Sequence, residues 1–307
     1  MATNAESKLS NIHRRSMNET DPTSGASIVS NSRSQTPLHL EKTKVILDQL
    51  LLLGARGWFM LAFLGQLIFI LYISSFYGSA ALQGDWSRWN RVLPVGYIPG
   101  DTLHNIALAT HLFLAVTITI SGALQLSSNI RQKFRDFHRL NGKIYFATAI
   151  LTSVAGTFMI WTRTQAGDLS QDLGVTFNAI VIVVCVGYAY QLARARQFQQ
   201  HQQWAIRLFL VVSGTWFFRV GLFFWLTVNQ GPVGFDPKSF SGPFLSILSF
   251  SQTIVPLLIA QLYFKAKASA SAAQKLTALA VLMIAFCVVG IGIFSASFGM
   301  WIPRITS

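Results

Sequence analysis

Charge is what this chain has least of. Asp, Glu, Lys and Arg make up 11% of its 307 residues, against roughly 25% in an ordinary soluble domain, and so few cannot clothe a surface that meets water on every side. Acidic residues are the scarcest, 11 against 24 basic ones, which leaves a net charge of +13. Cysteine is almost missing too. Cys185 and Cys287 fall in apolar runs without CxxC spacing, which excludes a disulfide scaffold and leaves them a packing role. No P-loop, no GxGxxG at a strand-to-helix turn, no HExxH and no nucleophile elbow occurs, so phosphate-cradling and hydrolytic chemistry have no footing. What the chain has instead is apolar bulk: 52% hydrophobic residues, including 24 Phe, and a mean hydropathy of +0.46. That excludes a disordered protein and most cytosolic enzymes.

The apolar residues come in blocks. Residues 1–41 are rich in Ser, Asn and Thr with no apolar run; they cannot offset their ordering entropy, and the expectation is a disordered cytoplasmic tail. The basic pair Arg14-Arg15 has no apolar core behind it, so the tail does not read as a signal peptide. Residues 42–57 have apolar positions at helical spacing and read as an interfacial lead-in helix. Seven apolar stretches follow, at about 58–77, 103–126, 140–161, 173–192, 205–228, 244–264 and 276–300. Each is near the ~20 residues that cross ~30 Å of hydrocarbon. Trp58, Tyr77, Trp161 and Trp301 sit near their ends as interfacial anchors. The expected fold is all-α: a polytopic transmembrane bundle of about seven helices over 58–302, without room for a soluble catalytic domain.

Orientation follows from Lys and Arg, which concentrate in cytoplasmic loops. The tail and alternate loops carry eighteen of the 24, whereas Arg88, Arg91, Arg163, Lys238 and Arg304 lie on the other side and Arg219 lies inside a helix. The amino terminus is therefore expected in the cytoplasm, the carboxyl terminus outside, and the protein in the inner or plasma membrane. Because the basic residues lie in short juxtamembrane loops, the positive charge reads as topology rather than as a nucleic-acid surface.

Ionisable residues inside a bilayer are expensive and mark candidate sites. His13 and His39 lie in the tail; His104, His111, His138 and His201 lie in or at the ends of helices two, three and five. His104, His111, Ile118, Gly122 and Gln125 share one face of helix two, so this stripe faces the bundle interior. Two readings of His111 are open: a hydrogen bond to a neighbouring helix, or a haem ligand or proton relay. From His138, helix three continues along one line through Tyr145, Ala149, Thr152 and Gly156. Small residues there either leave a flat slot for a planar ligand or let two helices approach closely. Helix five opens with His201-Gln202-Gln203-Trp204-Ala205-Ile206-Arg207, where an interfacial reading has Arg207 snorkelling to lipid phosphate and Trp204 anchoring the headgroup layer. Arg219 is too deep to snorkel and has no intramembrane Asp or Glu to pair with. Its partner is either backbone carbonyl or a bound anion such as a propionate or lipid phosphate.

His138-Arg139-x-x-Gly142, then His201-x-x-Trp204-x-Ile206-Arg207, with His111 and Gly122-x-x-Gln125 upstream, resemble the bacterial domain-of-unknown-function-2306 (DUF2306) family of integral membrane proteins over about 103–225. Gln202 and Ala205 depart from the Arg and Met of that pattern. The run His111, Gly122-x-x-Gln125, Arg135-x-x-His138-x-x-x-Gly142 is also similar to the transmembrane cytochrome b-561 family, whose members hold two haem b groups through paired histidines. That resemblance implies His111, His138 and His201 as ligands, with His138 and His201 facing each other across one haem and Arg139, Arg207 or Arg135 near its propionates. The third core helix, 173–192, has no histidine, which leaves His111 without an axial partner. His111 and His138 stand some 20 Å apart along the bilayer normal and cannot share an iron.

Two classes of function follow. One is a b-type haem protein moving electrons, since iron held by two histidines has no open position for substrate. The other is a non-enzymatic membrane protein in which the same residues engage lipid headgroups, a quinone or a proton path, or an accessory or structural role.

Overall fold

The computed structural model describes residues 38–92, 96–162 and 167–305. The expected tail up to residue 37, with His13 and Arg14-Arg15, and Arg163 lie outside the described residues. The elements are α1 (Leu38–Ile73), a π-helical turn at Ser74–Gly78, α2 (Ser79–Leu82), a 3-10 turn at Trp86–Arg91, α3 (Thr102–Leu126), α4 (Ser128–Lys133) and α5 (Arg135–Thr162). They continue as α6 (Leu169–Arg194), α7 (Phe198–Val212), α8 (Gly214–Val228), α9 (Pro243–Ala268), α10 (Ala272–Ala296), a second π turn at Ser297–Trp301 and α11 (Ile302–Ile305). Apart from one isolated bridge between Asp236 and Ser241, no strand pairing occurs among the described residues. Helices are what the composition demands, because a segment in hydrocarbon must satisfy its backbone internally.

Among the described residues, six helices are long and apolar enough to cross a membrane, and the pair α7–α8 makes a seventh if it is one span. The protein is thus an integral membrane protein of six to seven spanning helices. Residues 42–57 run without a break into the first span, Lys42–Leu82, 41 residues long. The fifth apolar stretch is broken rather than continuous: α7 and α8 meet at Ser213 with a 55° bend. Side chains cap the ends that loops leave open. Asp101 accepts from the His104 N–H, Ser127 from Ile130, Asp168 from Gln171 and Ser271 from Gln274.

Close approach of backbones sets the packing. A Cβ on Gly292 of α10 would stand 2.3 Å from the Val220 carbonyl oxygen of α8, and one on Gly174 of α6 would stand 2.9 Å from the Ser249 backbone of α9. Neither site admits a side chain. At the Lys- and Arg-rich end, Lys275 of α10 is 4% exposed and pairs with Asp48 of α1 at 2.5 Å, tying the first span to the last. At the opposite end the second π turn packs on α1 and the first on the 3-10 turn: the Phe69 and Trp301 rings are 5.2 Å apart, and Tyr77 lies edge-on to Trp89.

Candidate functional site

His138 and His201 both sit at the basic end, where a hydrogen-bonded chain specifies their roles. Ser121 Oγ donates to Asn141 Oδ1 at 2.9 Å, and Asn141 Nδ2 donates to Gln125 Oε1 at 3.0 Å. The Gln125 amide nitrogen therefore points at His138 Nε2, 3.3 Å away. The donor must be Gln125, so Nε2 accepts and the neutral ring carries its proton on the buried, unpartnered Nδ1. His201 is held the other way round, with Nδ1 donating to the Ala189 carbonyl at 2.8 Å.

The small residues of α5 serve close approach, not a slot. A Cβ on Gly142 would meet Gln125 Nε2 at 2.9 Å, and one on Gly156 would meet the His111 ring at 3.3 Å: side chains of α3 occupy the notches. The free space beside His201, walled by Gly122, Gln125, Tyr145 and Phe146 among others, is about 10 Å³. Ligand pockets run to roughly 300–1,000 Å³, so these residues do not fit a macrocycle between them. Among the described residues, no three His, Cys, Asp or Glu side chains cluster as a metal site.

The arginines divide by depth. Arg139 pairs with Asp136 at 3.2 Å on an exposed helix face. Arg207 turns inward instead of to lipid: its Nη2 donates to Gln261 Oε1 of α9 at 2.7 Å, and its guanidinium lies over the Trp204 and Phe264 rings. Trp204 in turn stacks on Tyr188 at 4.4 Å. Arg219 Nη1 donates to the Thr215 carbonyl at 3.1 Å and its Cζ stands 5.4 Å over the Phe69 ring. No carboxylate pairs with it among the described ion pairs. His104 belongs to the other end, with Nδ1 2.6 Å from Asp101 Oδ1 and Nε2 3.0 Å from Thr162 Oγ1.

At the break, side chains bond carbonyls of the preceding turn, while the Ser213 N–H and C=O keep their own helical bonds. Ser213 Oγ donates to the Phe209 carbonyl at 2.8 Å and accepts from Gln66 Nε2 at 2.9 Å. Asn178 Nδ2 donates to the Val211 carbonyl at 3.0 Å and to Thr253 Oγ1 at 2.7 Å. Gly214 makes room, since a Cβ there would stand 2.9 Å from the Asn178 amide. Beside the break lies a chamber of about 100 Å³ reaching from Gln66 and Phe69 of α1 across His111, Thr152 and Asn178 to Thr215 and Trp216. These positions fall near the middle of their spans.

A second, larger cavity of about 760 Å³ opens between α1, α7, α8, α9 and α10. Phe59, Phe217, Leu248, Ile259 and Val288 are among its mostly apolar walls; Arg56, Arg131 and Gln202 stand at its basic end. The buried Trp58 Nε1 and Gln252 Oε1 on its walls have no hydrogen-bonding partner.

Sequence reasoning found the histidines and Arg219 but not Gln66, Trp216 or Gln252. A lone Gln in an apolar run and a Ser-Gly pair in mid-helix, Ser213-Gly214, were the available signals. Which face each presents depends on neighbours that periodicity does not supply. No curated protein and no solved structure matches the chain, so none supports the resemblance to cytochrome b-561. Over residues 108–237, which hold His111, His138, His201 and the break at Ser213, the chain matches the DUF2306 family, described as a predicted membrane protein.

Proposed function

We propose that this integral membrane protein is a non-enzymatic binder of a long-chain amphiphile with an anionic head. One observation carries the reading: the cavity of about 760 Å³ is apolar along its length and has two arginines, Arg56 and Arg131, at its basic end. The volume is that of a ligand pocket, and the apolar walls favour burial of a hydrocarbon tail at about 25 cal/mol per Å². Neither guanidinium has a carboxylate partner among the described ion pairs. An anionic head placed between them gains about 1 kcal/mol from each. The basic end is the cytoplasmic one in this reading, in keeping with the excess of Lys and Arg there.

The test is native mass spectrometry of the detergent-purified full chain. The expected result is one co-purified amphiphile per chain. Ala285→Phe, which places a ring into the cavity, abolishes its retention, and Arg56→Gln with Arg131→Gln weakens it by about 2 kcal/mol, roughly 30-fold. A chain that carries no amphiphile, or that keeps it equally in both variants, rules the reading out. A neutral quinone retained regardless of the arginine changes replaces the anionic head with a redox ring.

A further inference from the structure

The chamber beside the break is a separate site from the apolar cavity, and its walls are polar in an unbalanced way. Four of the residues around it carry buried polar atoms with no hydrogen-bonding partner: Trp216 Nε1, Thr152 Oγ1, Tyr145 OH and Gln66 Oε1. Trp216 and Tyr145 are each 3% exposed and Gln66 is 2% exposed. Leaving a buried polar atom unmet is costly, and four around about 100 Å³ point to an occupant. The indole N–H only donates and the two hydroxyls can donate; only Gln66 Oε1 is confined to accepting. The His111 ring, by contrast, has the Thr152 backbone as a hydrogen-bonding partner.

Charge decides the class of occupant. No Asp or Glu lines the chamber. Arg219 does not itself line the chamber, but both of its contacts, the Thr215 carbonyl and the Phe69 ring, are with residues of the chamber wall. One carbonyl takes one of five guanidinium N–H groups, which leaves others to face an anion. We propose that the chamber binds a small monoanion of carboxylate type and a few heavy atoms, its oxygens accepting from Trp216, Thr152 and Tyr145 and its charge offset by Arg219. The broken helix supports this use, since discontinuous helices in membranes surround sites for small ions.

The experiment is equilibrium dialysis of the detergent-solubilised full chain against radiolabelled acetate, with ionic strength held by gluconate, which is too large to enter. Saturable binding near one acetate per chain is expected, displaced by formate and untouched by octanoate. Arg219→Gln and Thr152→Val each weaken it tenfold or more while the amphiphile of the larger cavity is retained. Thr152→Val replaces a hydroxyl by a methyl of similar size, so it decides the matter alone if Arg219→Gln does not fold. Absence of saturable acetate binding to the wild-type chain overturns the proposal in favour of bound water, as does binding unchanged in folded Thr152→Val protein. The amphiphile reading fails separately, by loss of its own ligand.

Discussion

His138 and His201 differ in what their free nitrogens can do, and the difference comes from single hydrogen bonds. His201 gives its Nδ1 proton to the Ala189 carbonyl, while His138 has Nε2 turned to Gln125. With about 10 Å³ beside His201, protein purified from haem-replete cells is expected to be colourless; a Soret band lost in His138→Ala would show that the helices part to admit haem. Asp168 gives a pH dependence with a definite sign. The Ser170 hydroxyl and the Gln171 backbone N–H hold its carboxyl below the ordinary value of 3.8, and it reaches α9 through Ser246 Oγ, which donates to it at 3.4 Å. A depressed carboxyl contributes stability that is full above the ordinary value and is lost as pH falls through the lower folded value. The melting temperature of Asp168→Asn is therefore expected to lie below wild type at pH 6, with the gap closing below pH 3.8. A gap independent of pH would mean that the carboxylate charge contributes nothing.

Among the elements, α8 and α10 pack backbone against backbone at Gly292. Gly292→Ala puts a methyl against the Val220 carbonyl oxygen and is expected to lower stability in detergent by about 1–3 kcal/mol, read as an earlier thermal transition. The Asp48–Lys275 pair ties α1 to α10 with the lysine buried and the carboxylate half exposed. Leaving that lysine unpaired in Asp48→Asn costs about 1–2 kcal/mol, less than a fully buried pair because water screens the carboxylate. The α7–α8 break was not legible in the sequence. Residues 205–228 read as one apolar stretch, and at the break Asn178 and Gln66 arrive from other helices, Asn178 donating to the Val211 carbonyl and Gln66 to Ser213 Oγ.

For the whole molecule, the parity of the spans determines where the termini lie. If α7–α8 crosses as one bent span there are seven crossings, and the termini fall on opposite faces; a re-entrant pair leaves six and puts them on the same face. The Lys and Arg asymmetry favours seven with the amino terminus inside. Alkaline phosphatase fused after residue 305 is then expected to be active and green fluorescent protein at the same position dark. The reverse pattern would make α7–α8 a re-entrant loop.

The membrane class, the number of apolar stretches and the end that gathers basic residues were determined by the sequence itself, because hydropathy and charge act residue by residue and need no knowledge of neighbours. The candidate residues His111, His138, His201, Arg207 and Arg219 were legible for the same reason, each being costly in hydrocarbon. Their partners were not. Whether the glycines of α5 framed a slot or a seam, whether Arg207 met lipid or Gln261, and whether the fifth stretch was whole or broken depended on which side chain of another helix arrived at each place. Only the tertiary structure decides such contacts, since hydrogen bonds and close packing between helices are set by pairs of residues far apart in the chain.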